Sequence, residues 1–362
     1  MIEQHDVTRY LLERSLLDPA AVIDGELAIH DVSSRNRNYR VVTRGGPSYL
    51  LKQPVGEEGI WTVANEAAVY QRLAAVGDGM AHFLPTFYGY DAEGRVLVLE
   101  LLQDAEDLRG FHARTGRFAP GPAALVGSAL GALHRTTRAV PSGNALNGAA
   151  WILSVHRPDA RLFRDVSAAG LEMIRVVQGA AGFPEALDRL REEWLPTALI
   201  HGDVKWDNCL RTVGTDGDER VRLIDWESAS LGDPAWDIGS ALSQYLSFWL
   251  FSIPVTGAEP PERFPELARY PLDDMKPATT ACWHAYVKAR RLDDGSAARE
   301  MLRAVRFAGA RLVQTAFESA QVMPQMMSST ALHLRVAFNV LQRPMEAAVQ
   351  LMGLPLRWQA GG

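Results

Sequence analysis

The spacing of apolar and polar positions changes character several times along the chain. From Val7 to Leu17 apolar residues recur at helical spacing behind Asp6, a residue type that caps helix N-termini, and Asp18-Pro19 closes the segment. Between Leu27 and Leu51 the pattern becomes strand-like. Three short runs, Leu27 to His30, Tyr39 to Thr43 and Tyr49 to Leu51, are separated by polar turns and by Gly45-Gly46-Pro47, which predicts an antiparallel meander. Ala64 to Val76 returns to helical spacing, with Val69, Leu73 and Val76 on one side. Phe87 to Tyr90 and Arg95 to Leu101 follow as two more strands around the turn Asp91 to Gly94.

Beyond Leu102 the pattern is mostly helical, with helices expected over Ala123 to Arg135, Ala160 to Gln178 and Pro184 to Trp194. A strand, loop, strand unit interrupts them at Leu199 to His201, Asn208 to Thr212 and Val221 to Ile224, and helices resume from Asp237. The change near Gln103 predicts two domains, residues 1–102 and 103–362, in keeping with roughly 100 to 200 residues per domain. The most apolar stretch, Ile238 to Val255, is broken by Ser240, Ser243, Gln244 and Ser247 and closed by Pro254, so it reads as a buried helix and no membrane partner is expected.

Composition narrows the function. A hydrophobic share of 47% with 22% charged residues leaves enough apolar material for a large interior and excludes extensive disorder. The net charge of -6 offers no basic stripe for phosphate backbones, so no nucleic-acid partner is expected. Two cysteines, Cys209 and Cys282, exclude a disulfide framework and a four-cysteine zinc site. The segment Met1 to Tyr10 has no apolar core of the signal-peptide kind, and the expected location is cytoplasmic. Lysine occurs only at positions 52, 205, 276 and 288 among 37 basic residues, so two of the four fall inside the segments that carry chemistry.

Those segments begin with His201-Gly-Asp203-Val-Lys205-Trp-Asp207-Asn208, followed by Leu223-Ile-Asp225-Trp-Glu227. Phosphoryl transfer asks a protein for a carboxylate that orients the attacking hydroxyl and for oxygen ligands that hold a metal on the phosphates. Asp203 suits the first task; Asn208 and Asp225 suit the second, since amide and carboxylate oxygens match a hard magnesium ion. A single Asp or His reads equally well as a turn residue. Six specified residues in two ordered, strand-flanked segments do not.

On these residues the chain resembles the aminoglycoside phosphotransferase and choline kinase superfamily, whose hallmark is H-G-D-x-x-x-x-N with a downstream I-D-W-E. The resemblance implies an α+β, two-lobed protein-kinase-like fold with a small antiparallel-sheet N-lobe containing one key helix and a larger helical C-lobe. It implies ATP and Mg2+ as cofactors, Asp203 as catalytic base, Asn208 and Asp225 as metal ligands, and a structural His201. Gly232-Asp233-Pro234 to Asp237 also matches, with Asp237 expected to open a helix and hold the loop by hydrogen bonds. Lys52, ending the run Tyr49-Leu-Leu, and Glu66 on the next helix resemble the family's strand lysine and helix glutamate pair that binds the phosphates. The loop Asp31 to Tyr39 lacks glycine but resembles the S-x-N loop of related enzymes, which makes Ser33 and Ser34 phosphate contacts; an ordinary hairpin turn is the alternative. Adenine is expected on the connector at Glu100 and Leu102. His134, Cys209 and Trp226 read as packing residues.

The acceptor is read two ways. Asp273-Asp274 suits a cationic small molecule such as an aminoglycoside or amino alcohol, and it suits a solvated surface equally. Lys205, two residues after Asp203 as in kinases of protein Ser and Thr, neutralises a moving phosphoryl group. Ser34 to Asn38, Leu51-Lys-Gln53 and Arg311 to Gln321 resemble kinase-like proteins of modified-peptide biosynthesis, of lanthipeptide or thioamitide type. That resemblance implies a precursor peptide phosphorylated on Ser or Thr and a partner lyase. The proline-rich loop from Ser252 to Tyr270 serves as a peptide clasp in one reading and as a lid in the other. A pseudokinase scaffold is the rival from another class, and intact Lys52, Asp203, Asn208 and Asp225 argue against it. A metal hydrolase using His201 and Asp203 lacks a second histidine at ligand spacing.

Overall fold

The alternation of the first hundred residues builds one antiparallel sheet. The protein is described here from a computed structural model covering residues 2–138, 148–214, 217–254 and 261–355. Its strands are β1 (Leu27–Asp31), β2 (Arg37–Thr43), β3 (Tyr49–Gln53), β4 (Phe87–Asp91), β5 (Val96–Glu100), β6 (Glu106–Asp107), β7 (Ala198–Ile200), β8 (Cys209–Val213), β9 (Glu219–Leu223) and β10 (Ser230–Gly232). The helices of the first part are α1 (Val7–Glu13), α2 (Pro19–Ile23), α3 (Gly56–Ala75) and α4 (Asp78–Ala81). Those of the second are α5 (Leu108–Thr115), α6 (Pro120–Thr136), α7 (Ala160–Asp165), α8 (Ala168–Gly179), α9 (Phe183–Glu192), α10 (Pro234–Phe251), α11 (Leu272–Arg290), α12 (Asp294–Gln321), α13 (Ser328–Gln342) and α14 (Pro344–Gln350).

By internal contacts the chain divides into two compact units, 1–107 with 208–229, and 108–207 with 230–362. A single cut near Gln103 therefore does not describe the division. The physical reason is strand pairing: β8 pairs with β9 and with the short β6, so the segment after Asp207 is built into the first unit.

In the first unit the five-stranded sheet has the order β1-β2-β3-β5-β4, all antiparallel. Strand β3 alternates buried Tyr49, Leu51 and Gln53 with half-buried Leu50 and Lys52. Tyr39, Val41, Tyr49, Leu51, Val96 and Val98 pack against Val7, Tyr10 and Leu11 of α1. Full burial of each such side chain stabilises the fold by roughly 1.5–3 kcal/mol. Asp6 does not cap α1; its carboxylate pairs with Arg9 at 2.7 Å, and the helix ends at Glu13, short of the expected Leu17. Asp18 ends nothing but caps α2, accepting from the Ala20 N–H at 2.9 Å. Helix α3 starts eight residues earlier than its apolar spacing indicated, with Glu57 and Glu58 in its first turn, where negative charge complements the helix dipole.

The second unit is helical. Small residues let its helices meet backbone to backbone: a Cβ on Gly127 of α6 would lie 2.0 Å from the Cys282 carbonyl oxygen of α11, and one on Gly131 2.7 Å from that of Tyr286. Helix α10 is buried along almost its whole length, as its composition predicted. The single helix expected over residues 160–178 is two, because Val166 is extended and Ser167 caps α8 by accepting from the Gly170 N–H at 2.9 Å. Strands β7 and β10 form a two-stranded antiparallel ribbon beside the catalytic-loop motif. Among the described residues no helix is long and apolar enough to cross a membrane.

Candidate active site

The first unit gathers Lys52, Glu66, Asn208 and Asp225. Pleating turns Lys52 to the face of β3 opposite Tyr49 and Leu51. Glu66 lies on the buried face of α3 at 2% exposure, so its carboxylate requires a partner. It finds one in Lys52, whose Nζ donates to Glu66 Oε2 at 2.6 Å and to Asp225 Oδ1 at 2.9 Å. Burial alone would favour the neutral amine; Glu66 and Asp225 outweigh it and raise the Lys52 pKa, so the group stays an ammonium. Burial likewise pushes the Glu66 carboxyl above the ordinary carboxylate range, with Lys52 acting against it.

Asp225 follows β9 in a left-handed conformation, φ 64° and ψ 60°, uncommon for any residue but glycine and most tolerated by Asn and Asp. Such strain persists only where neighbours hold it. Here the Ile224 N–H donates to the Asn208 carbonyl at 3.1 Å and closes the open end of the β8–β9 hairpin. Trp226 is fully buried, as expected, and donates to the Leu223 carbonyl at 3.1 Å. Asn65 of α3 donates to the Glu227 and Ala229 carbonyls at 2.9 and 3.0 Å. The hairpin end thus places Asn208 and Asp225 one residue apart across the ladder, and both offer side-chain oxygens, a donor set that fits magnesium.

The β1–β2 loop is a self-contained turn. The Ser33 N–H donates to Asp31 Oδ1 at 2.9 Å, the Ser33 hydroxyl accepts from the Asn38 N–H at 3.0 Å, and the Ser34 N–H donates to the Asn36 carbonyl at 3.0 Å. Both serine amides are therefore engaged inside the hairpin. Sequence reasoning missed the contact of this loop that reaches the site: Arg35 forms an ion pair with Glu227. At the connector, Glu100 accepts from the Thr86 N–H and hydroxyl at 2.8 Å each, its own N–H is bound to Thr86, and Leu102 follows outside any strand.

The second unit holds His201 to Asp207. Gly202 adopts φ 81°, and the loop backbone is fixed by Asp237, the fully buried first-turn carboxylate of α10. Asp237 accepts from the N–H groups of His201 at 2.7 Å and Gly202 at 3.0 Å and faces His134 at 3.1 Å. His134 in turn meets the Tyr286 hydroxyl at 3.2 Å, so it is structural, as its helix position suggested. Trp206 is clamped between Tyr245 and His112; Cys209, at the start of β8 in the first unit, is buried as a small hydrophobe. Asp203 receives two cations: Lys205 Nζ at 2.7 Å on Oδ2 and Arg311 Nη2 at 3.0 Å on Oδ1. Burial opposes its ionisation, but Arg311 and Lys205 outweigh it and hold the carboxyl below the ordinary carboxylate range. Arg311 is contributed by α12, and in the sequence it stands only as one position of a helical segment. No spacing rule links it to Asp203, 108 residues earlier.

Asp273 and Asp274 are exposed in the first turn of α11, where Asp273 pairs with Lys276, an ordinary helix start. Of the proline-rich loop, residues 255–260 lie outside the described residues, and so do those parts of the expected clasp or lid.

With this geometry in place, comparison with known proteins identifies the chain. Residues 28–264 match the family model described as "Phosphotransferase enzyme family", a span that includes Lys52, Glu66 and the segments from His201 to Asn208 and from Leu223 to Glu227. None of the curated proteins matches the sequence. Among solved structures, a choline kinase from Cryptosporidium parvum Iowa II aligns at 13% identity over 91% of this chain and 92% of its own, with a TM-score of 0.55. A choline/ethanolamine kinase family protein from Mesorhizobium loti aligns at 18% identity over 95% of both chains, TM-score 0.49. The first of these likenesses shows the fold, the α+β kinase-like arrangement of an antiparallel-sheet part and a larger helical part that the sequence led us to expect. On the match of its family model over most of its length, the chain belongs to the phosphotransferase enzyme family.

Proposed function

We propose that the protein transfers the γ-phosphoryl group of ATP, bound as its magnesium complex, to a hydroxyl group of an acceptor. The observation that carries this reading is the Lys52 ammonium held between Glu66 and Asp225. An ammonium with that orientation is what phosphate oxygens need, and Asp225 is free to exchange the lysine for a metal when nucleotide arrives. Asn208 and Asp225 would hold magnesium, which when bound neutralises charge on the phosphates. Asp203 orients the acceptor hydroxyl and accepts its proton; Lys205, on the second oxygen of the same carboxylate, balances charge on the moving group. Glu100 and Leu102, at the end of β5, are the proposed contacts of the base, and Ser33 and Ser34 those of the phosphates.

The acceptor class is open between a Ser or Thr of a precursor peptide, which a partner lyase would then process, and a hydroxyl-bearing amino alcohol or aminoglycoside. The test is a transfer assay with γ-labelled ATP and magnesium against two panels, Ser/Thr peptides and hydroxylated amines. Wild type is expected to label members of one panel, and Asp203→Asn to lower turnover by about a thousandfold or more while binding Mg-ATP normally. Nucleotide binding with no transfer to either panel or to water would replace this reading with a scaffold.

A further inference from the structure

Two contacts on the carboxylate of Asp203 differ in kind. Lys205 sits on the same loop and moves with it, so it does not define where the carboxylate stands. Asp237 fixes the loop backbone through His201 and Gly202 but does not reach the side chain. Arg311 comes from a separate rigid element, the 28-residue helix α12. Its side chain is 2% exposed, a costly place for a guanidinium unless its charge is matched. It is matched twice: Nη2 meets Asp203 Oδ1 at 3.0 Å and Nη1 meets Glu318 Oε1 at 3.1 Å. Glu318 is two turns along the same face, half exposed, and its Oε1 also accepts from Gln314 Nε2 at 2.8 Å.

We propose that Arg311 is a positioning residue: its planar fork, held from behind by Glu318, fixes the side chain of Asp203 in the orientation that meets the acceptor hydroxyl. The inference rests on the phosphotransferase reading above. A lysine is a point donor on a flexible stem and holds one of the two carboxylates at a time, so the geometry asks for arginine. A carboxylate misplaced by about an ångström loses alignment with the hydroxyl it must orient, a cost that falls on kcat and leaves nucleotide affinity alone.

The test uses the full chain with Mg-ATP and water as the acceptor, measuring ATP hydrolysis, alongside thermal unfolding and the KM for ATP. Arg311→Met is expected to lower kcat at least about tenfold with the KM for ATP within about twofold, and Arg311→Lys to recover part of the loss. Glu318→Gln, which leaves shape intact and loosens the bridge, is expected to lower kcat by about threefold. If Arg311→Met does not fold, the lysine and glutamine variants decide: wild-type kcat in both overturns the proposal, and a lowered kcat with unchanged KM sustains it. Wild-type kcat in a folded Arg311→Met protein also overturns it. Asp203→Asn separates the two levels. Unchanged hydrolysis in that variant removes the phosphotransferase reading itself, whereas lost hydrolysis there with a normal Arg311→Met removes only the role of Arg311.

Discussion

At the scale of single residues, the site is governed by how charges are matched. Asp203, held below the ordinary carboxylate range by Arg311 and Lys205, remains ionised across the neutral and mildly acidic range. The acid limb of its kcat profile is therefore expected below that range. Removing Arg311 leaves burial less opposed, and the limb should move to higher pH in Arg311→Met; an unshifted limb would separate Asp203 from the rate. Lys52 makes a second case. Lys52→Met removes the charge and leaves Glu66, at 2% exposure, without its partner, so both nucleotide affinity and stability should fall. The pairing of Lys52 with Glu66 and the nearness of Asn208 to Asp225 were legible in the sequence, because the motifs single those positions out. Arg311 and Arg35 were not, since each acts through a contact that only folding creates.

At the scale of elements, helix contact in the second unit depends on two glycines one turn apart. A methyl on Gly127 would meet the Cys282 carbonyl at 2.0 Å, a backbone atom of α11 that has no rotamer to yield. Gly127→Ala is therefore expected to destabilise the fold by on the order of 3 kcal/mol, read as a lowered denaturation midpoint, whereas Gly179→Ala, with nothing within 4 Å, should change it little. Strands β2 and β3 were legible because pleating writes burial into alternate residues, whereas β6 and β10, two and three residues long, carry no such pattern. Helix ends were less legible. Asp6 has the right chemistry for a cap but bonds to Arg9, and the break between α7 and α8 depends on the extended backbone of Val166, which apolar spacing does not report. The β1–β2 loop shows the same limit: its serines are visible in the sequence, but the amides they spend on the turn are not.

For the molecule as a whole, stability should depend on pH through a buried histidine of the helical unit. His333 on α13 is fully buried against Phe251, and burial pushes its pKa down to about 4, with only the Ser329 carbonyl in its favour. The unfolded chain takes up a proton near the ordinary histidine value, so this stability is present above about pH 6.5 and is lost as pH falls toward 4. The loss is on the order of 3 kcal/mol. His333→Leu should flatten that part of the denaturation profile, and an identical slope in both proteins would contradict the assignment.

The account depends most on the first unit binding a metal nucleotide through Asp225 and Lys52. Calorimetric titration with ATP, in the presence and absence of magnesium, measures this directly. Wild type is predicted to bind ATP more tightly with magnesium, and Asp225→Asn to bind equally with or without it. Magnesium dependence that survives in Asp225→Asn, or a wild-type protein that does not bind Mg-ATP, would contradict it.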